Sequence, residues 1–123
     1  MGIAMASEGQ DFKMTAGDTR VLRIAVTDTD GEQVDLAGAT ARWWMARSSR
    51  STGASVLVQK STSGGVSIDE QTGIVTVTIS PADTEGLSAG LYYHELEIVD
   101  GNGAVSTVTT GKVTMRDALI PEA

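Results

Sequence analysis

His94 is the only histidine in the chain, and it is the first residue to weigh as a general base. It shares a predicted strand face with Tyr92, Leu96 and Ile98. A catalytic base needs an orienting partner and a nucleophile within hydrogen-bond reach, and the neighbouring sequence supplies neither. His94 therefore reads as a half-buried structural histidine. Asp28, Asp30 and Glu32 form the sharpest candidate for a metal, since Asp-x-Asp-Gly resembles part of a calcium loop. A full loop needs a third early oxygen ligand and a late bidentate glutamate, and Val26 and Ala37 stand at those positions. The segment reads as a hairpin turn, as does Asp100 with Asn102. Gly101, Gly103 and Gly111 make no phosphate cradle, because no helix begins after them. Glu95 and Glu97 share an exposed strand face and read as solvated surface, not as a carboxylate pair for hydrolysis. We assign no catalytic, cofactor-binding or metal-binding residue, expect no cofactor, and read the chain as not an enzyme.

Composition narrows the classes further. The 123 residues contain no cysteine, which excludes a disulfide framework, a zinc-thiolate site and a cysteine nucleophile. Nine Lys and Arg stand against 16 Asp and Glu, for a net charge of −7. A field of that sign repels phosphates, so nucleic acid is not an expected partner. No apolar run approaches the ~20 residues of a membrane span, so no membrane partner is expected either. Residues 1–10 lack the basic and apolar regions of a signal peptide.

The elements behind these residues are strands and turns. Glycine occurs 14 times, aromatic residues make up 4% and there are two prolines, a balance that suits pleated strands joined by tight turns. Alternation with period two recurs in residues 19–26, 40–47, 74–79 and 91–99, with a last run over 104–115. In residues 40–47, Ala41, Trp43 and Met45 take one face and Arg42, Trp44 and Ala46 the other. Gly111 interrupts the last run, where a bulge is expected. Ser80 followed by Pro81 and acids predicts one helical turn. Residues 48–54 read as a mobile loop. The sum is a single all-β domain: an immunoglobulin-like antiparallel β-sandwich of about seven or eight strands with one short helical turn. Trp43 faces its core, and Tyr92 stands where a tyrosine corner belongs. The division is a flexible N-terminal segment (1–9), the sandwich (10–116) and a C-terminal tail (117–123). A barrel or jelly roll is the alternative architecture.

Contact residues remain. Trp44 and Tyr93 point away from the core, and Trp, Tyr and Arg dominate buried contacts between proteins. Arg42, Arg47, Arg50 and Lys60 concentrate much of the positive charge in one region of the sequence. Ile3 and Met5 near the start, and Leu119 and Ile120 near the end, are apolar side chains expected to order on a neighbour. The candidate interface is therefore Ile3, Met5, Arg42, Trp44, Arg47, Tyr93, Leu119 and Ile120. If exposed, Trp44 and Tyr93 would supply stacking platforms for a sugar, so an adhesin-like module binding a host-surface glycan is the alternative; the other reading of Trp44 places it under the 48–54 loop.

Three blocks carry a resemblance: Asp11-Phe12-Lys13-Met14 with Gly17-Asp18-Thr19 and Leu22-Arg23-Ile24; Val34-Asp35-Leu36-Ala37-Gly38-Ala39-Thr40; and Leu87-Ser88-Ala89-Gly90-Leu91-Tyr92-Tyr93 leading to Glu95-Leu96. Together they resemble the small immunoglobulin-like domains of tailed-phage virions, found in baseplate, tail, neck and head-decoration proteins. The resemblance implies a non-catalytic virion component, made in the bacterial host cytoplasm, whose partners are other virion proteins and copies of itself. The coiled-coil or receptor-binding extension of the baseplate members does not follow here, so assembly is expected in place of direct host recognition.

Overall fold

Alternating β-branched and apolar residues make the strands, and the computed structural model holds eight of them within residues 11–28, 30–48 and 56–120, the residues it describes. In chain order they are β1 (Phe12–Thr15), β2 (Arg20–Ala25), β3 (Thr40–Ala46), β4 (Val56–Ser61), β5 (Val66–Asp69), β6 (Ile74–Ile79), β7 (Gly90–Val99) and β8 (Val105–Arg116), with α1 (Pro81–Thr84) between β6 and β7. One sheet has five strands in the order β1-β8-β7-β3-β4, and the other has three in the order β2-β6-β5. The chain changes sheet between β1 and β2, β2 and β3, β4 and β5, and β6 and β7. That is the immunoglobulin-like sandwich, with β3, β7 and β8 as its C, F and G strands and β2, β6 and β5 as B, E and D. Two separate sheets exclude the barrel.

The inward residues of both sheets form one core. Trp43, Met45, Leu96, Ile98, Val108 and Val113 from the large sheet meet Ile24, Val75, Val77 and Ile79 from the small one, all with essentially no exposure. An indole can donate but not accept a hydrogen bond, so a buried tryptophan needs an acceptor. Trp43 finds it in Nδ1 of His94, 2.9 Å away on the neighbouring strand. The Phe12 ring makes a T-shaped contact with the same imidazole, with ring centroids 5.2 Å apart. His94 is thus buried outright, not half-buried, because β1 covers it.

The turns use the same local chemistry twice. Asp28 Oδ1 accepts from the backbone N–H groups of Asp30 and Glu32, at 2.8 and 3.0 Å. Asp100 Oδ1 accepts from Asn102 and Ala104 at 2.9 and 3.0 Å. In both, a glycine three residues after the aspartate takes a positive φ (Gly31 at 81°, Gly103 at 88°), which a Cβ would resist. At α1, the Ser80 N–H donates to the Asp83 carboxylate at 2.7 Å, and Lys60 Nζ pairs with the same oxygen at 2.7 Å.

Three expectations need correction. The strand pairing is not wholly antiparallel, since β1 runs parallel to β8. The bulge in β8 is not at Gly111, which sits in regular register opposite His94. Leu96 faces Thr109 and Glu97 faces Thr107, so Val108 is the extra residue, and both Val108 and Thr109 are buried. The basic region does not form one patch. Arg42 lies on the outer face, whereas Lys60 turns toward Asp83 at α1, and Arg50 lies outside the described residues.

Candidate functional site

The outer face of the five-stranded sheet is built from rows of cross-strand neighbours. One row runs Lys112–Tyr93–Ala46–Val56, through β8, β7, β3 and β4. The row beside it runs Thr110–Glu95–Trp44–Gln59, and the next pairs Glu97 with Arg42. Odd and even positions of a strand face opposite ways, so the sequence that buries Trp43 must turn Trp44 outward. Trp44 and Tyr93 are each half-buried there, on adjacent strands and adjacent rows. Between them opens a cleft of about 570 Å³. Trp44, Tyr93, Ala46 and Val56 supply its apolar lining, and Asp11, Glu95, Thr110 and Lys112 its polar lining.

One ion pair crosses this face, between Arg42 and Glu97. Arg42 Nη2 lies 2.6 Å from Glu97 Oε1, and its guanidinium also sits 5.3 Å over the Trp44 ring. An ion pair as exposed as this one contributes on the order of 0–1 kcal/mol, so its main effect is to hold Arg42 across the indole. At the edge of the sheet, Asp11 Oδ1 accepts from the Lys112 N–H at 2.8 Å, tying the start of β1 to β8.

A second group gathers at one end of the sandwich. The Tyr92 hydroxyl donates to the Ser88 carbonyl at 2.6 Å, which completes the tyrosine corner. The Arg47 guanidinium lies 4.8 Å over the Tyr92 ring. Asp117 Oδ1 accepts from the Ala89 N–H at 3.2 Å, so the chain leaving β8 is fastened to the same corner. Beyond that fastening Leu119 and Ile120 are 97% and 80% exposed.

The sequence-derived interface therefore falls into two groups. Arg42, Trp44 and Tyr93 share the outer face. Arg47 belongs instead with the corner that holds the tail bearing Leu119 and Ile120. Ile3 and Met5 lie outside the described residues, as does most of the 48–54 loop. Sequence reading missed Asp11, Val56, Glu95 and Lys112 as neighbours of Trp44 and Tyr93. Their only signal is cross-strand register, which no local pattern encodes. The acidic loop at Asp28 and Asp30 spends one Asp28 carboxylate oxygen on its own backbone amides. Among the described residues, no three His, Cys, Asp or Glu side chains come together as a metal site, and no helix is long and apolar enough to cross a membrane.

The fold places the chain among immunoglobulin-like β-sandwich proteins. No family model matches the sequence, and no curated protein matches it. Solved structures do match, among them the crystal structure of CopC from Methylosinus trichosporium OB3b. That match has a TM-score of 0.49 at 12% identity and covers 91% of this chain and 89% of the other.

Proposed function

We propose that this chain is a non-enzymatic structural component of a tailed-phage virion, in the tail, baseplate, neck or head decoration, acting by multi-copy protein–protein assembly. The sequence blocks resembling virion domains support the reading. The last of them forms the tyrosine corner and the start of β7, in keeping with the immunoglobulin-like fold that the resemblance implies. The observation that carries it is the pair Leu119 and Ile120, held out in solvent just past the Asp117 fastening. Burying both against a neighbour is worth roughly 3–6 kcal/mol, a useful increment when many copies dock on one platform. Partners on this reading are other virion proteins and copies of the chain itself.

The glycan-binding alternative draws on the outer face, where Trp44 and Tyr93 lie side by side. It is the weaker reading, because the Arg42 guanidinium already lies over the Trp44 ring that a sugar would stack on. The test is negative-stain imaging of purified particles with a gold-labelled antibody to this chain. Label at a regular position on the particle supports the proposal, and particles without label overturn it.

A further inference from the structure

The two aspartate-clamped turns close alike but differ in chemistry. In the first, the Asp28 N–H donates to the Glu32 carbonyl and the Gly31 N–H to the Asp28 carbonyl, at 2.9 and 3.0 Å. In the second, the Asp100 N–H donates to the Ala104 carbonyl and the Gly103 N–H to the Asp100 carbonyl, at the same two distances. Just before the positive-φ glycine stands Asp30 in one turn and Asn102 in the other, both exposed. Asn102 is the only asparagine of the chain, and a glycine flanks it on each side. A Cβ placed on Gly103 would meet no atom within 4 Å, so the Asn102–Gly103 peptide bond lies open to solvent.

We propose that Asn102 is a site of spontaneous deamidation through a succinimide, with Asp100 as the brake on the reaction. The nucleophile is the Gly103 backbone nitrogen, once hydroxide has taken its proton. It attacks Asn102 Cγ: the new N–Cγ bond forms, the Cγ–Nδ2 bond breaks, and the amide nitrogen leaves as ammonia. Water then opens the ring at either carbonyl and leaves aspartate or isoaspartate. In sum, amide and water become carboxylate and ammonium, with no oxidation or reduction. In the closed turn the Gly103 N–H is held by the Asp100 carbonyl, and Asp100 Oδ1 holds the N–H groups of Asn102 and Ala104. The reaction therefore runs from a locally opened turn, which the two glycines make easier to reach. In the matching turn the Asp30 carboxylate is a far poorer electrophile than an amide, so that turn is an internal control. The product carries one more negative charge, two residues from Asp100. In the isoaspartate form it also carries an extra main-chain methylene where β7 turns into β8, which breaks the spacing that the Asp100 clamp requires. This holds whether or not the chain belongs to a virion.

Peptide-mapping mass spectrometry of the full chain, incubated at mildly alkaline pH, tests the proposal. Asn102 should convert to a mixture of aspartate and isoaspartate, while Asp30 yields no isoaspartate over the same time. Asp100→Ala should speed the conversion about fivefold, the change in turn opening that follows from losing one hydrogen bond of ordinary strength. Asp100→Ser keeps an oxygen acceptor at the turn and should fall between the two. Asn102→Gln should stay intact. A folded chain that keeps its asparagine under conditions where the urea-unfolded chain converts overturns the proposal. Aspartate without isoaspartate overturns the succinimide route. Equal rates in wild type, Asp100→Ala and Asp100→Ser, all with native circular dichroism, overturn the role of Asp100.

Discussion

The indole N–H of Trp43 donates to Nδ1 of His94 across 2.9 Å, and both side chains are buried. An indole can only donate, so Nδ1 must carry no proton and the neutral ring holds its hydrogen on Nε2. The one histidine of the chain is thereby committed to the core. Replacing it with leucine leaves the indole N–H unsatisfied, and His94→Leu should cost about 1–3 kcal/mol in chemical denaturation. In a Trp43→Phe background, which lacks the donor, the same replacement should cost distinctly less. Equal costs in the two backgrounds would show that the bond does not hold His94 in place.

Neighbouring tryptophans should behave very differently. Trp43→Ala opens the centre of the core and should cost roughly 3–5 kcal/mol. Trp44→Ala removes a half-buried ring from the outer face and should cost no more than about 1 kcal/mol. Comparable large losses would contradict the assignment of the two faces.

At the tyrosine corner, Tyr92→Phe keeps the buried ring and its contact with Arg47 but removes the hydrogen bond to the Ser88 carbonyl. The expected loss is about 1 kcal/mol. Wild-type stability in the variant would mean that ring packing alone fixes the corner.

The carboxyl of Asp69 is held below its ordinary value by the hydrogen bond from the Gln71 N–H, with the Thr72 side chain and N–H adding to it. A depressed folded-state value means that the ionised form stabilises the β5–β6 turn at neutral pH. That contribution is complete above the ordinary value of 3.8 and is lost as pH falls through the lower folded value. Melting curves of wild type and Asp69→Ala should therefore differ at neutral pH and converge in acid. A gap that stays constant into strong acid would contradict the assignment.

How much of this was legible in the sequence follows from what a period of two encodes. It states which face a residue takes, so Trp43 inward and Trp44 outward were readable, as were the Asp28 and Asp100 turns from their glycines. It does not state which strand lies alongside. That is why the parallel β1–β8 pairing and the row from Lys112 to Val56 appear only in the fold. The β8 bulge was hidden because its two adjacent buried residues are a valine and a threonine, and Thr109 does not register as apolar. Lys60 and Arg42 looked like one basic region because they are close in the pattern of β3 and β4. Their acids, Asp83 and Glu97, come from α1 and β7 and lie on different sides of the large sheet.

The most direct test of the account asks whether the exposed tail makes the assembly contact. Leu119→Ser/Ile120→Ser should leave the melting temperature unchanged, since neither side chain packs on the sandwich. If the chain is a virion part docked through this pair, particles assembled with the variant should carry much less of it than wild-type particles, measured by quantitative mass spectrometry of purified virions. Wild-type copy number in those particles, or absence of the wild-type chain from particles altogether, would contradict the account.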